Sequence, residues 1–199
     1  MDDNLARGAM GAPKSASRPI ENNSNTESII MKKLTLIFAS LLAFLGCGAQ
    51  APKVDNSVSG GLELDRYLGD WYEIARFDHV FERGLSHSKA VYTLREDGKV
   101  QVLNSGIEAG APKEARGKAK LTPDPRVLRV SFFGPFYGDY RIMLLDEDYQ
   151  WVLVGGSSDK FLWILARTSQ ISDEVRETIL SEATRRGYDV GKLIWVEQE

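Results

Sequence analysis

Few side chains in this sequence are typical of reaction chemistry, and their spacing does not indicate a catalytic group. Cys47 is the only cysteine among 199 residues, which excludes an intramolecular disulfide and a multi-cysteine metal site. His79 and His87 are the only histidines, and no spacing of Cys, His and carboxylates is typical of a metal site. Ser86 and Ser88 flank His87, but neighbouring side chains on a strand point to opposite faces, so no nucleophile–base pair is expected. We therefore expect no enzymatic activity, no metal and no cofactor, and two surface histidines.

The lone cysteine lies at the end of a segment with the composition of a secretory signal. Residues 31–46 begin Met-Lys-Lys, continue with an apolar run over 34–45 and end in a small residue. This run is too short to span a bilayer, which takes roughly 20 residues. A buried core helix is the weaker alternative, because lysines precede the run and a Pro- and Ser-containing stretch follows it. Residues 1–30 are polar and without apolar periodicity, so we expect them to be disordered and outside the native precursor.

The residues around this cysteine resemble the lipobox of bacterial lipoproteins. Phe44-Leu45-Gly46-Cys47 matches it, with Phe44 where that family usually has Leu. The resemblance implies that the sulfur of Cys47 takes a diacylglyceryl group and that residues 31–46 are removed. Gly48 follows the cysteine, and a residue other than Asp there implies sorting to the outer membrane. Several acyl chains would anchor the protein stably at that membrane, and we expect the protein to face the periplasm.

The remaining chain has the size of one domain and a mildly acidic charge. Residues 47–199 carry 20 Lys and Arg against 24 Asp and Glu, with the two signs interspersed, so they offer no basic footprint for nucleic acid. We expect residues 47–62, a stretch with Pro and Ser, to form a linker. Residues 63–199 are then long enough for a single core and a single folded domain.

Within that domain, short segments alternate apolar and polar residues and are separated by turn signals. Asp97-Gly98 is a strong hairpin signal, and Gly134-Pro135 marks another turn. Eight alternating segments with short connections predict an up-and-down β-barrel or a sandwich. They cover residues 71–77, 89–94, 99–103, 113–121, 126–132, 140–145, 149–154 and 161–166.

The pattern then changes to the period of a helix. Ser172 is a good N-cap, and the acidic residues after it are favourable at a helix N-terminus. Val175, Ile179 and Ala183 form an apolar stripe at helical spacing, and Gly187 is a plausible terminator. A lone amphipathic helix after eight strands must pack on the outer face of the sheet. A final short strand is expected over residues 193–196.

Three short motifs, in order along the chain, resemble the signatures of the lipocalin family. The first is Gly-Asp-Trp-Tyr-Glu-Ile-Ala at 69–75, which contains Gly69 and Trp71. The second is Asp-Glu-Asp-Tyr from Asp146 to Tyr149, without the Thr of the common form, and the third is Arg167. Residues 72–84, 130–138 and 162–175 resemble the bacterial outer-membrane members in particular, and the whole resemblance covers about 64–198. It implies an all-β, eight-stranded antiparallel barrel with a C-terminal helix outside it.

The resemblance also implies how such a barrel works. Trp71 would fill the closed end, with Arg167 lying across its indole in a cation–π contact. A barrel of about eight strands has room for interior side chains or one small ligand, here a fatty acid or lysophospholipid. The protein would store or transport this ligand for membrane maintenance, with envelope stress as one expected setting. A lipid-modifying enzyme and a structural lipoprotein with a filled barrel are the alternatives, and a homodimer is left open.

The candidate ligand contacts follow from alternation. Trp71, Glu73, Ala75 and Phe77 share one side of the first strand, so the other three are expected inside with Trp71. Glu73 is either a satisfied structural pair or a contact for a ligand head group. The aromatic segment over 132–137 is expected to be exposed at the open mouth. The full set of cavity candidates is Glu73, Ala75, Phe77, Tyr92, Leu94, Leu128, Val130, Phe132, Tyr140 and Ile142.

The lipobox gives a first testable prediction. Cys47→Ser, expressed in a Gram-negative host, is expected to accumulate as an uncleaved and unacylated precursor, because the acyl acceptor is missing. Mass spectrometry of the purified protein and membrane fractionation measure both effects. Normal fractionation of the variant with the usual acyl mass shift would contradict the assignment of Cys47.

Overall fold

The structure is a computed structural model that describes residues 54–198, so the predictions for residues 1–30, for residues 31–46 and for Cys47 lie outside the described residues. Two α-helices and nine strands make up the described part. The helices are α1 (Leu64–Tyr67) and α2 (Asp173–Arg185), and a short 3-10 helix covers Val190–Lys192. The strands are β1 (Gly69–Phe77), β2 (Leu85–Leu94), β3 (Val100–Glu108), β4 (Ala111–Leu121), β5 (Val127–Phe133), β6 (Phe136–Leu145), β7 (Trp151–Gly155), β8 (Leu162–Ala166) and β9 (Leu193–Trp195).

The first eight strands form a closed antiparallel barrel. Each strand from β2 to β8 pairs with the next, β8 pairs with β1, and β1 pairs again with β2. The predicted eight-stranded up-and-down barrel is therefore confirmed and the sandwich is excluded. Strand β9 pairs with the last residues of β1, where Leu193 pairs with Phe77. Because β1 runs away from the closed end, the loops β1–β2, β3–β4, β5–β6 and β7–β8 all lie at the open end.

Helix α2 begins and packs as its sequence predicts. The side chain of Ser172 accepts a hydrogen bond from the backbone N–H of Val175 at 3.2 Å, which satisfies one of the unpaired N–H groups of the first turn. Ile179 and Ala183 are fully buried and belong to an outer apolar cluster with Leu153 and Ile164 of the barrel wall. The helix therefore covers the outside of the sheet. Within residues 54–198, no helix is long and apolar enough to cross a membrane.

A β-bulge in β1 reverses part of the predicted inner face. Glu73 pairs with Leu165 but Ala75 pairs with Ile164, so one extra residue stands in β1 between them. Beyond the bulge, Ala75 and Phe77 belong to the outer cluster under helix α2. Their prediction as cavity residues was wrong, because the bulge turns them outward and turns Arg76 inward.

Leu94 also lies outside the cavity. β1 starts at Gly69, which pairs with Tyr92, so Leu94 extends two residues beyond it at the closed end. Its side chain is 47% exposed. The alternation of β2 gave its face correctly, but the prediction of a wall position was wrong because the strand continues past the end of the barrel.

The segment before the barrel is packed rather than a free linker over its second half. Val54 is buried in the outer cluster, and the backbone N–H of Asp55 donates to the carbonyl of Arg186 at 2.8 Å. The guanidinium of Arg186 donates in return to the carbonyls of Asp55, at 3.1 Å, and Ser57, at 2.7 Å. The linker predicted over 47–62 therefore does not extend to residue 62, since residues from Val54 onward are bound to the barrel.

The closed end is assembled around one guanidinium. Arg167 lies over the indole of Trp71, with its guanidinium carbon 3.9 Å from the ring centroid. Its N–H groups donate to three carbonyls, those of Arg66 at 2.6 Å, Asp70 at 2.7 Å and Tyr149 at 3.2 Å. The indole N–H of Trp71 donates to the carbonyl of Tyr67 at 2.8 Å. Helix α1, the start of β1 and the β6–β7 turn are thus joined into one floor.

The acidic turn supports the same floor. The backbone N–H of Tyr149 donates to the carbonyl of Asp146 at 2.9 Å, and the carboxylate of Asp146 accepts from the backbone N–H of Gln150 at 3.0 Å. Tyr149 has a φ of 60°, which presents its carbonyl to Arg167, and its hydroxyl accepts from the backbone N–H of Glu63 at 2.9 Å. The second signature therefore positions a backbone acceptor for the third.

The burial of Trp71 gives the second testable prediction. Trp71→Ala is expected to lower the free energy of unfolding by about 3–5 kcal/mol, because the indole is 0% exposed and its removal leaves a cavity. Trp195→Ala is the matched control: its indole is 41% exposed and contacts Arg176, so its loss should cost under about 2 kcal/mol. Urea denaturation measures both, and equal losses would contradict the role of Trp71 in the floor.

Candidate functional site

The lower half of the barrel interior is an apolar core above the floor. Tyr67, Tyr92 and Tyr140 bring their hydroxyls together there, with Tyr67 to Tyr140 at 2.6 Å and Tyr92 donating to Tyr140 at 3.2 Å. Burial raises the pKa of Tyr92 to about 12, so this hydroxyl stays neutral. The space between these rings and Val100 and Leu128 is a cavity of about 10 Å³, room for about one water molecule.

The upper half of the interior contains a buried ion pair. Arg76, turned inward by the bulge, donates to a carboxylate oxygen of Glu73 at 2.5 Å. Its other terminal nitrogen donates to the carbonyls of Glu82, at 2.7 Å, and Leu85, at 2.9 Å, in the β1–β2 connection. Removing one member of such a pair leaves an uncompensated buried charge, which typically costs 3–5 kcal/mol. The pair therefore fixes the β1–β2 loop over one side of the mouth.

A second carboxyl group lies beside this pair. Glu82 is buried, accepts a hydrogen bond from the indole N–H of Trp163 at 3.0 Å, and lies 3.2 Å from His79. Burial, and then the nearby charge of Glu73, raise the pKa of Glu82 to about 8. Burial lowers the pKa of His79 to about 4, and the charge of Arg76 acts in the same direction. At neutral pH both side chains are therefore neutral, and the buried pair of Arg76 with Glu73 carries the charge.

Several polar atoms of the inner wall lack a hydrogen-bond partner in the protein. They include Nε of Arg76, Nδ1 of His79, Oγ of Ser88 and Oδ1 of Asn104. A buried polar atom without a partner is costly, so water or a polar ligand group is expected to complete these sites. The upper half of the interior thus offers hydrogen-bond donors and acceptors above a mainly apolar lower half.

One side of the mouth is lined by small residues. Directly paired residues of an antiparallel sheet share a face, so Gly117 faces inward with Val102, and Gly138 faces inward with Val130. The ring of Phe132 occupies the space beside Gly117 and would lie 2.8 Å from a Cβ at that position. Gly138 differs, because a Cβ there would meet no atom within 4 Å. Because Gly138 is also exposed, this open space lies at the solvent-facing mouth of the barrel.

The remaining predicted cavity residues lie in the interior. Tyr92, Leu128 and Ile142 are buried in the inner apolar cluster, and Val130, Phe132 and Tyr140 pack against it half-buried. Glu73 faces the interior too, held by Arg76. Contact of any of them with a ligand stays a prediction. Of the aromatic segment over 132–137, Phe133 is exposed while Phe136 and Tyr137 are half-buried.

Sequence reasoning missed the most polar part of this site. The predicted alternation of β1 would place Arg76 on the outer face, and His79 was expected on the surface, yet both are buried. A bulge has no fixed sequence signal, and the burial of His79 comes from ring contacts with Phe81 at 4.3 Å and Trp163 at 5.1 Å. On a regular strand, residues three apart point to opposite faces, so the spacing of Glu73 and Arg76 gave no signal for an ion pair.

The side chains of Ser86 and His87 were expected to point to opposite faces of the strand, but they lie in contact. His87 has a φ of 53° at a second irregularity, in β2, and its Nδ1 lies 3.0 Å from Oγ of Ser86. The left-handed backbone at His87 brings together two side chains that a regular strand would separate. In residues 54–198, no group of three or more His, Cys, Asp and Glu side chains is placed to hold a metal ion.

These features define a class of protein: an eight-stranded antiparallel barrel, closed at one end by a tryptophan and an arginine and open at the other. A family model described as a lipocalin-like domain matches residues 62–198. The chain belongs to the lipocalin family. It is 48% identical over 174 residues to the protein named outer membrane lipoprotein Blc from Escherichia coli K12, covering 84% of this chain and 98% of that one.

More distant relatives extend the comparison. The chain is 37% identical over 152 residues to temperature-induced lipocalin-1 of Arabidopsis thaliana, covering 71% of this chain and 82% of that one. Among solved structures, lobster apocrustacyanin A1 has a TM-score of 0.59 at 16% identity, covering 69% of this chain and 80% of its own. Insecticyanin from the tobacco hornworm has a TM-score of 0.57 at 18% identity, covering 74% and 87%. These two structures support the fold alone.

The buried carboxyl of Glu82 gives a third testable prediction. In the folded protein, the carboxyl of Glu82 keeps its proton up to a pH of about 8. In the unfolded chain, where its pKa is the usual 4.5, the same carboxyl is ionised. The folded state therefore binds more protons in this window, and stability falls as pH rises, by up to about 1.4 kcal/mol per pH unit. His79, with its lowered pKa, has the opposite effect, but only below its usual pKa of 6.5.

Urea denaturation at pH 6.5 and at pH 8 isolates the effect of Glu82. The parent protein is expected to be less stable at the higher pH, and Glu82→Gln is expected to lose most of that difference. Glu147→Gln, at an exposed position, is the matched control and should keep the difference. The same pH dependence in the parent and in Glu82→Gln would contradict a protonated Glu82.

Proposed function

We propose that this lipocalin binds fatty acids or lysophospholipids at the bacterial outer membrane and stores or transports them for membrane maintenance. The observation that carries the proposal is the amphipathic interior. The lower half of the interior is lined mainly by apolar side chains. The upper wall carries polar atoms without partners at Arg76, Ser88 and Asn104, and the space beside Gly138 at the mouth is open. An acyl chain is chemically suited to the apolar lower half of the interior, and a polar head group is suited to the upper wall. Envelope stress is the setting in which such a carrier would be needed.

The proposal includes lipid attachment at Cys47 and a periplasm-facing barrel. The lipobox over 44–47 supports it, and so do the relatives named as outer membrane lipoproteins, including one from Vibrio cholerae that is 42% identical over 174 residues. Family members are generally binding proteins rather than enzymes, which supports a carrier that releases its ligand unchanged. Attachment would hold the barrel at the membrane that contains its proposed ligands.

The second candidate is a structural lipoprotein with a filled barrel. The size of the floor cavity favours it, because about 10 Å³ is far below the roughly 300–1,000 Å³ typical of ligand pockets. For a carrier, Tyr92, Tyr140 and Phe132 would have to rotate to admit a long chain. Phe132 is the first of these below the mouth, since its ring lies over Gly117.

The experiment is a titration of residues 48–199, which keep the packed segment from Val54, with saturated fatty acids and lysophospholipids of increasing length. The four tryptophans provide the fluorescence signal. Affinity is expected to rise with chain length, since each buried methylene contributes about 0.8 kcal/mol before ordering costs, until the interior is full. Absence of saturable binding would favour the filled barrel, and chemically altered lipid recovered after incubation would favour an enzyme.

A filled mouth should weaken that binding. Gly138→Leu places a side chain in the open, solvent-exposed space at the mouth, so it is expected to exclude roughly two methylenes and raise Kd about ten-fold, with little change in stability. Thr93→Leu, at an exposed position on the outer face of β2, is the matched control and should leave Kd unchanged. Equal affinity of the parent and Gly138→Leu would contradict entry beside Gly138.

A further inference from the structure

One side of the barrel, away from helix α2, carries an excess of positive charge on its outer surface. The outer apolar cluster under α2 takes its buried strand residues from β1, β6, β7, β8 and β9, and within residues 54–198 β4 and β5 contribute none. The outward-facing side chains of β4, β5 and β6 therefore form a separate surface, which we call the basic wall. Its cations are Arg116, Lys118, Lys120, Arg129 and Arg141.

Strand pairing places these cations on one face of the sheet. Lys120 pairs with Arg129, which in turn pairs with Asp139, and directly paired residues share a face. Lys118 lies two residues before Lys120 and so faces the same way, while Ala119 between them is buried in the inner apolar cluster. Along the sequence the cations alternate with inward-facing residues. The excess of charge therefore appears only in the folded barrel.

The basic wall contrasts with the rest of the protein. On the outer faces of β4, β5 and β6, Glu114 and Asp139 are the two acidic side chains beside the five cations. The rest of residues 47–199 carries 15 Lys and Arg against 22 Asp and Glu. A charge distribution this uneven turns the positive face of a protein toward a negatively charged surface.

Contacts within the wall hold several of its cations in place. The carboxylate of Asp139 lies 3.4 Å from Arg129 and 3.0 Å from Arg141. Arg129 also donates to the carbonyl of Tyr137 at 2.9 Å, and Nζ of Lys120 lies 4.3 Å from the centroid of the Tyr137 ring. Because these side chains are already ordered, binding of an anionic surface costs less conformational entropy.

Two buried donors of the wall also lack an acceptor. Oγ of Ser131 and Nε of Arg141 have no hydrogen-bond partner among residues 54–198. Ser131 is 4% exposed and pairs directly with Lys118. A buried donor without an acceptor is costly, and a phosphate oxygen accepts from hydroxyl, ammonium and guanidinium groups alike. The donors of the wall therefore match the chemistry of phosphate.

The described chain begins beside one edge of the basic wall. The guanidinium of Arg186 donates to the carbonyl of Asp55 at 3.1 Å and to the carbonyl of Met143, in β6, also at 3.1 Å. Arg141 lies two residues before Met143 on the outer side of the same strand. An attachment before Val54 therefore holds the barrel from a point next to the wall.

We propose that the basic wall lies against the anionic phospholipid leaflet that holds the lipid anchor, with its cations in contact with lipid phosphate groups. This inference rests on the proposed attachment at Cys47, which is seven peptide steps from Val54 and so within about 25 Å of it. A tether of this length gives the wall a high effective concentration at the leaflet, so a few ionic contacts suffice. The barrel then lies on its side, and its mouth stays uncovered.

Lysine acetylation of the membrane-bound protein tests this docking. The mature lipoprotein is produced as the full chain, reconstituted in vesicles, acetylated sparingly and analysed by mass spectrometry. Lys118 and Lys120 are expected to react several-fold more slowly on vesicles that contain phosphatidylglycerol than on vesicles of phosphatidylcholine alone. Lys192, whose side chain is 69% exposed, should react equally on both. High salt should remove the protection, because it screens exposed charges.

A pair of matched double substitutions tests the role of the wall's charge. Arg116→Gln with Arg129→Gln is expected to raise the reactivity of Lys118 on the anionic vesicles to nearly its value on phosphatidylcholine. Arg83→Gln with Arg185→Gln removes two exposed cations elsewhere, 63% and 61% exposed, and should leave the protection unchanged. Circular dichroism of both variants shows whether the barrel is intact.

The remaining outcomes separate this proposal from those beside it. Equal reactivity of Lys118 on the two kinds of vesicle, with the protein bound to both, overturns the docking alone. Protection that persists in detergent without phospholipid and grows with protein concentration also overturns it, in favour of a second copy covering the wall. Protein that does not float with vesicles overturns the attachment at Cys47 together with the docking. Loss of lipid binding in the titration of residues 48–199 would overturn the carrier function and leave the docking standing.

Discussion

The closed end of the barrel depends on the guanidinium of Arg167. It donates to carbonyls of helix α1, of the start of β1 and of the β6–β7 turn, and its face covers the buried indole of Trp71. Arg66 and Asp70 lie 101 and 97 residues before Arg167 in the chain, and Tyr149 lies 18 residues before it, so no local preference could align the three segments. Partial burial lowers the pKa of Arg167, yet an arginine stays charged in proteins. A permanent cation with planar donors is therefore well suited to this position.

Above that floor, the bulge at Ile74 determines what the interior can bind. One extra residue in β1 places Arg76 inside with Glu73, and it gives Ala75 and Phe77 to the outer face where α2 and β9 pack. In a regular strand, Ala75 and Phe77 would face the upper interior and make it apolar. Arg76 would then lie on the outer face, in the apolar surface that α2 covers. The same irregularity therefore supplies both the polar upper wall and a complete seat for the helix.

The features that the sequence predicts depend on residues close together in the chain, whereas those that it does not predict depend on residues far apart in the chain. Strand alternation, the Asp97-Gly98 turn and the Ser172 cap act within a few residues, and each was visible in the sequence. The inward turn of Arg76 depends on pairing of β1 with β8 and β9, and the burial of His79 depends on Trp163. Neither contact has a local signature. The packed segment from Val54 was missed for a related reason, because Arg186 binds its backbone carbonyls, and backbone groups are the same in every sequence.

That packed segment also determines how the protein carries a mechanical load. A pull on the residues before Val54 reaches first the backbone bond from Asp55 to Arg186 and the two carbonyl contacts of the Arg186 guanidinium. Arg186 is itself held by Glu182 at 2.8 Å and by the carbonyl of Met143 at 3.1 Å, so the force passes into α2 and β6. The pairing of β1 with β2, which closes the barrel, lies outside this path. Tension on the segment would therefore load these hydrogen bonds before the pairing of β1 with β2, so the interior would keep its shape while the segment detached from the surface.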